Sequence, residues 1–412
     1  MKTIDFLALP EFANENFLIA TYYLSFNDET DYYEWSKLIA LDQSAGTWTH
    51  VEGETPEVLE KYGAKVISIY NMPASNSCIT RISFPIANFP ANIPMIMSTV
   101  AGNVLSQDGI KLIDIEFPRK ILDNFSGPIL GVAGMRELLN VKDRPLIGAI
   151  LKPCIGVEPE VSAKGAVDAA LGGVDLIKDD ELLSETEYSP MVKRVRTVME
   201  HLRGVGKENV LYCINITGEK LIDRANRAIE AGANSLMVNY NALGWGIIED
   251  LVKYLKDNKH ELPIFGHCAG TGGMYKSSNN GISPMLLCGK IPRIIGTDMN
   301  LVYPDSGRFG FATNELIEIH NALTSELYSV NKAFSVMAGG IHPGSVPHIL
   351  NILGNDTILM AGGGIYGHPQ GATAGAKAIK DTVLAIQHGL TLDEAAQNHE
   401  EVKVSLEFWR SQ

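Results

Sequence analysis

The chain is short of positive charge, sparse in cysteine and without long apolar runs, and each shortage closes off a class of protein. Its 412 residues carry 34 Lys and Arg against 48 Asp and Glu, a formal net charge of −14. Nucleic acids and anionic membranes need basic patches. Here the cations are scattered, so neither partner is expected and an anionic ligand must be held locally. The five cysteines, Cys78, Cys154, Cys213, Cys268 and Cys288, are odd in number and lack CxxC spacing, which argues against a disulfide framework and a zinc site. The opening stretch MKTIDFLALPEFANENF has no sustained apolar segment, and no run elsewhere is long enough to span a bilayer. A cytoplasmic protein with reduced thiols is the expectation. No low-complexity tract is present, and 45% hydrophobic with 20% charged residues is the balance of an ordinary globular chain.

What the chain does have is repetition. From about residue 145, a β-branched apolar run, a loop rich in Gly, Asn or acids, and a stretch of helical period recur eight times. The runs are LIGAILKP from 146, VDLIKDDE from 174, VLYCINIT from 210, SLMVNY from 235, LPIFGHC from 262, RIIGTDMNL from 293, AFSVMAGG from 333 and TILMAGGG from 357. After the first, Pro159 suits a helix start, and Ala163, Ala166, Val167, Ala170 and Leu171 form an apolar stripe. Eight βα units over about 250 residues predict a (β/α)8 barrel, whose chemistry gathers at the strand C-termini. Lys152, the KDDE acids, Asn215, Asn239, His267 and the glycines of 339–340 and 362–364 all fall at those ends. Residues 1–125 alternate strand-like and helix-like segments differently and predict an α+β, ferredoxin-like domain with an antiparallel sheet. The boundary is placed within PRKILDNFSGP, giving an N-terminal domain of 1–125 and a barrel of 126–412.

The stretch GGVDLIKDDE, residues 172–181, sets one lysine against three acids at the end of a proposed buried strand. Alternation puts Lys178 and Asp180 on one face and Asp179 on the other, and a turn can return Glu181 inward. A neutral buried lysine reacts with CO2 to give a carbamate, which would complete a three-carboxylate site suited to Mg2+. The plainer reading is a salt-bridge cluster with no function.

The longer pattern resembles the RuBisCO large-chain superfamily. GGVDLIKDDE is similar to its metal-site motif, SAGTWT (44–49) to its N-domain substrate loop, and VAGN (100–103) to its asparagine segment. PLIGAILKP (145–153) resembles its first barrel strand, and MAGGIHPG (337–344) and MAGGGIYGHPQG (360–371) its phosphate-gripping turns. The resemblance implies a carbamylated Lys178 that binds Mg2+ with Asp180 and Glu181. It further implies Lys152 and His267 as catalytic residues, with Gly339, Gly340, Gly362 and Gly363 receiving a phosphate. Thr47, Trp48 and Asn103 would reach the site of a neighbouring subunit, which implies an obligate homodimer with shared active sites. Asp42 stands where the family usually has glutamate.

The departures point away from CO2 fixation. Carboxylating members carry Lys-Pro-Lys where this chain has Lys152-Pro153-Cys154, and His-Arg where it has His267-Cys268. They also place a lysine in the loop after strand 6, where VYPDSGRFGFATNE offers only Arg308. With one phosphate subsite weakened at Cys268, a monophosphate is expected: a phosphorylated ketose or 3-oxo sugar acid that passes through an enediolate. Asn103 and Lys-Pro-Cys look less like the methionine-salvage enolases, so the expectation leans to a 3-oxo-isoapionate 4-phosphate decarboxylase. The alternatives are 2,3-diketo-5-methylthiopentyl-1-phosphate enolase, methylthioribulose-1-phosphate isomerase and a non-catalytic sugar-phosphate sensor. Which of Lys152 and the carbamate acts as base is left open. His342 and His368 are expected to make structural hydrogen bonds, and Cys154 and Cys268 to be small filler.

Overall fold

The computed structural model describes residues 13–26, 31–47, 49, 51–307 and 309–410. The N-terminal part is a βαββαβ unit. Its strands are β1 (Phe17–Ser25), β2 (Lys65–Met72), β3 (Ser77–Pro85) and β4 (Ile110–Glu116), in the antiparallel order β4-β1-β3-β2. That order is the ferredoxin-like arrangement. Alternation on β1 buries Leu18, Ala20, Tyr22 and Leu24, and the Tyr22 hydroxyl donates to Val100 O at 2.7 Å. Ile39 and Ala40 cover that face from the helix Tyr32–Asp42, and Ile93, Ile96 and Val100 from the helix Ile93–Val100. The first helix starts where the Asp31 carboxylate accepts the Tyr33 and Glu34 N–H groups, satisfying donors that have no partner within the helix.

The barrel strands are β5 (Leu146–Ile150), β6 (Leu176–Lys178), β7 (Leu211–Asn215), β8 (Ser235–Asn239), β9 (Ile264–His267), β11 (Met299–Val302), β12 (Phe334–Ala338) and β13 (Thr357–Ala361). Each pairs in parallel with its neighbours, and β13 pairs with β5 to close the ring. Because helices cover the outside and side chains fill the inside, the strands read as continuous apolar runs. A short strand, β10 (Gly281–Ile282), leaves the barrel after β9 and pairs in parallel with β4, so the N-terminal sheet has five strands. Lys111 on β4 donates to Tyr275 O at 3.0 Å and Ser277 O at 2.6 Å across the same junction.

Two local expectations change. The run from 293 is not strand from its start: Arg293–Ile295 finish the helix Ile291–Ile295, which Gly296 ends at φ 106, and β11 begins at Met299. The apolar pair there packs as helix because the buried Arg293 guanidinium reaches four carbonyls, those of Ala322, Ser325, Val330 and Asn331. On the helix Pro159–Gly172, Ala163, Ala166 and Ala170 are buried as expected, but Leu171 is 51% exposed and Ser162 and Ala169 are buried in its stead. The stripe is turned toward small residues because this helix lies close to its neighbour. A Cβ on Gly172 would come within 2.4 Å of Thr373 O and 2.5 Å of Ala376.

Candidate active site

β6 ends by delivering three side chains to two different environments. Lys178 is fully buried, and its Nζ donates to Asp179 O at 2.9 Å and to Glu181 Oε2 at 3.1 Å. Asp179 turns the other way into the layer behind the strand. There it accepts from Arg194 Nε and Nη2 at 3.1 and 3.0 Å and from the Tyr212 hydroxyl at 2.5 Å. Asp180 returns to the mouth, where its Oδ2 lies 2.8 Å from Lys152 Nζ. Asn215 at the end of β7 holds the turn in place, donating to Glu181 O and Leu183 O at 3.2 and 3.0 Å.

His267, at the end of β9, closes the cluster from the far side. Its Nδ1 accepts the Ala269 N–H at 3.1 Å, so the proton sits on Nε2, 3.2 Å from Glu181 Oε2. Burial lowers the His267 pKa against the pull of Glu181, which favours the neutral ring. For Glu181 burial acts to raise the pKa, but the His267 hydrogen bond and the Lys178 charge outweigh it and hold the carboxyl well below its usual range. The same competition operates at Lys152. Burial alone would lower its pKa, yet the bond to Asp180, aided by Cys154, raises it. In this arrangement Lys152 is an ammonium group.

Beside Lys152 the turns after β12 and β13 form a cavity of about 300 Å³, lined by Gly339, Gly340, Gly362, Gly363, His342 and Trp409 as well as by Lys152. Gly339 and Gly340 take φ 107 and 77, backbone that side chains rarely adopt. Gly362 is constrained by contact: a Cβ there would lie 3.0 Å from Lys152 Cε. The glycine turns therefore bring backbone amides and a lysine to one cavity, the elements of a phosphate site.

Comparison with known proteins gives this geometry a family. Residues 131–304 and 312–409 match the catalytic domain of the ribulose bisphosphate carboxylase large chain, and residues 8–121 match its N-terminal domain. The chain belongs to the RuBisCO large-chain family, as a RuBisCO-like member. It is 38% identical to a ribulose bisphosphate carboxylase-like protein of Archaeoglobus fulgidus over 401 residues, covering 93% of this chain and 91% of that one. It is 36% identical to the 2,3-diketo-5-methylthiopentyl-1-phosphate enolase of Bacillus pumilus over 403 residues, covering 95% and 98%. Among solved structures, the RuBisCO of Pyrococcus horikoshii superposes with a TM-score of 0.91 at 32% identity over 99% of this chain and 96% of that one. A RuBisCO-like protein from Alicyclobacillus acidocaldarius superposes with a TM-score of 0.86 at 30% identity over 95% and 100%.

Within this RuBisCO-like chain, the residues expected at the site divide into two groups. Lys152, Lys178, Asp180, Glu181, His267 and the four glycines stand at one barrel mouth. Thr47 and Asn103 line a different cavity, of about 380 Å³, with Asp42 and Gln43 in the N-terminal part. Trp48 and Arg308 lie outside the described residues. The described residues hold no group of three or more His, Cys, Asp or Glu side chains able to bind a metal. Asp180 and Glu181 are two hard oxygen donors, so the donor set fits Mg2+ only if Lys178 supplies the third as a carbamate. No helix among the described residues is long and apolar enough to cross a membrane.

His342 accepts from Gly344 N at 3.2 Å, and His368 pairs with Gln370 N and Glu401 O, structural hydrogen bonds of the kind expected. Asn239 caps the helix that follows β8 rather than facing a ligand. The filler reading fails for Cys154, whose Sγ lies 2.9 Å from Lys152 Nζ. The cis Lys152–Pro153 bond lies between the two residues, and the lysine two positions earlier was the signal available in the sequence. Trp409, from the last helix, was missed.

Proposed function

We propose that the chain is a Mg2+-dependent enolase-type enzyme acting on a phosphorylated ketone, best matched by 2,3-diketo-5-methylthiopentyl 1-phosphate. The observation that carries this reading is the adjacency of Lys152, the Asp180–Glu181 pair and the glycine cavity. The relatives named as enolases, 35–36% identical over nearly the full chain, support it better than the decarboxylase expected from Asn103 and Lys-Pro-Cys. Cys154 and Cys268, in place of the cations that carboxylating members carry, support a reaction without CO2 fixation.

Asp180, Glu181 and a carbamate on Lys178 would hold Mg2+, which when bound supplies Lewis-acid polarisation of a substrate carbonyl. The amides of Gly339, Gly340, Gly362 and Gly363 would anchor the phosphate and so fix which carbon faces Lys152. Lys152 is now an ammonium because Asp180 holds it. Were Asp180 committed to a divalent cation, that hold would loosen and burial would lower the Lys152 pKa toward that of a base able to take a proton beside a keto group. His267 keeps Glu181 ionised and oriented while remaining neutral. A second copy of the chain would complete the site with Thr47, Trp48 and Asn103.

The test incubates the protein with Mg2+ and bicarbonate, then adds the diketo phosphate in D2O. Enol formation with solvent deuterium exchange is expected, together with a labile carbamate on Lys178 by mass analysis. Release of CO2 from 3-oxo-isoapionate 4-phosphate without enolisation would establish the decarboxylase instead. Phosphate binding with neither reaction would establish a sensor.

A further inference from the structure

We infer that Lys152 and Cys154 form a redox-modification site, at which a peroxide joins the lysine nitrogen to the cysteine sulfur by a bond that thiols reverse. Both residues stand on the loop after β5. The Lys152 Nζ lies 2.9 Å from Cys154 Sγ and 2.8 Å from Asp180 Oδ2, so it is held between a sulfur and a carboxylate. Its Cε backs onto the Gly362 turn, where a Cβ would lie 3.0 Å away. The amine is thereby kept at the sulfur, which gives a reaction between the two the advantage of a fixed intramolecular partner. The flexible end of the lysine stem supplies the remaining approach to bonding distance. The modification needs only these two side chains and does not rest on the proposed reaction.

Exposure singles out this cysteine. Cys78, Cys213, Cys268 and Cys288 are buried, and burial pushes the Cys78 and Cys213 thiols up to about 11 and about 12, away from the reactive thiolate. Cys154 is half-buried, its neighbours Pro153, Ile155 and Gly156 are exposed, and the space beside Gly156 is open. A peroxide can therefore reach the Cys154 sulfur from solvent. The sulfur takes one peroxide oxygen, the O–O bond breaks, and the thiol becomes a sulfenic acid as one water leaves; sulfur is oxidised by two electrons and the peroxide reduced. The Lys152 ammonium then gives a proton to solvent, and its lone pair attacks the sulfur. The S–N bond forms as the S–O bond breaks, and the hydroxyl departs as a second water with a further proton from nitrogen. The neutral product no longer supplies a cation to Asp180.

The experiment treats the full-length protein with hydrogen peroxide, alkylates the remaining thiols and digests with trypsin. Arg144 and Lys152 both precede proline, so residues 143–164 stay in one peptide that holds both side chains and no other cysteine. In the wild type that peptide should escape alkylation and be lighter by about 2 Da, the two hydrogens lost, and dithiothreitol should restore it. Its fragment ions should show no break between residues 152 and 154, as a ring closed by the S–N bond requires. Lys152→Met should stop at the sulfenic acid, heavier by about 16 Da and captured by dimedone. A wild-type peptide that goes no further than the sulfenic acid, fragments that separate Lys152 from Cys154, or a loss of about 2 Da that persists in Lys152→Met overturns the assignment. Turnover of the diketo phosphate should fall as the bond forms and return with dithiothreitol. If the bond forms and turnover is unaffected, Lys152 has no part in the proposed reaction while the modification site stands.

Discussion

The layer behind β6 and the mouth in front of it begin from adjacent residues, Asp179 and Asp180, and treat negative charge in opposite ways. Behind the strand, the Arg194 guanidinium and the Tyr212 hydroxyl enclose Asp179, and both ions of the pair are fully shielded from solvent. In front, Asp180 and Glu181 are neutralised by lysine amines, with the Lys152 side chain 33% exposed and Glu181 32%. The floor of the barrel repeats the closed pattern, since Asp298 accepts from Leu130 N, Gly131 N and Ile264 N at 2.7, 2.7 and 2.8 Å. Closed charges serve the fold because no ligand can reach them. Open charges are provisional, since their protein partners can be exchanged for a ligand.

The largest expected effect lies on the closed side. Arg194→Ala strands a buried carboxylate and should cost about 3–5 kcal/mol in chemical denaturation; a loss under about 1 kcal/mol would erase the distinction. Next comes the floor. Burial pushes the Asp298 carboxyl up to about 6 from an unfolded value near 3.8. A raised folded pKa favours the native state while the group is protonated, so stability should fall by about 3 kcal/mol between roughly pH 3 and pH 7. Asp298→Asn should flatten that window, as read from the wild-type-minus-variant difference at pH 4 and pH 6.5.

A smaller effect, of a different kind, is expected at the mouth. In the wild type, Mg2+ with bicarbonate at a hundred times its dissociation constant should add about 2.7 kcal/mol of stability. Lys178→Met should lose that increment while keeping its unliganded stability within about 1 kcal/mol; a retained Mg2+-dependent shift would show that Lys178 is not part of the metal site. The smallest effect belongs to Gly340→Ala. The position has room for a Cβ but φ 77, so strain of about 1–2 kcal/mol is expected in thermal denaturation, with weaker binding of inorganic phosphate.

Most of the barrel was legible because alternation of buried strand and amphipathic helix is a local property. That Lys178 and Asp180 face away from Asp179 was legible from alternation at the end of β6, whereas the return of Glu181 depends on the turn past the strand, and the metal role was implied only by the family resemblance. The start of β11 was not legible, since Ile294 and Ile295 are apolar enough for a strand and only the carbonyls that receive the Arg293 guanidinium decide for helix. Leu171 was misjudged because helical period gives a stripe but not the neighbour that selects small residues. Trp409 carries no local signal at all. It acquires its place at the cavity by tertiary packing, which brings the last helix onto the glycine turns.

Pairing of β10 with β4 bears on how the chain is made. The fifth strand of the N-terminal sheet emerges from the ribosome 165 residues after β4 ends at Glu116, counting to Gly281. Until then β4 presents an unpaired edge, with the Lys111 amine still lacking the Tyr275 and Ser277 carbonyls that receive it in the finished protein. The N-terminal sheet cannot reach its final form during synthesis before the first five barrel strands have appeared. The two parts of the molecule are translated one after the other but completed together.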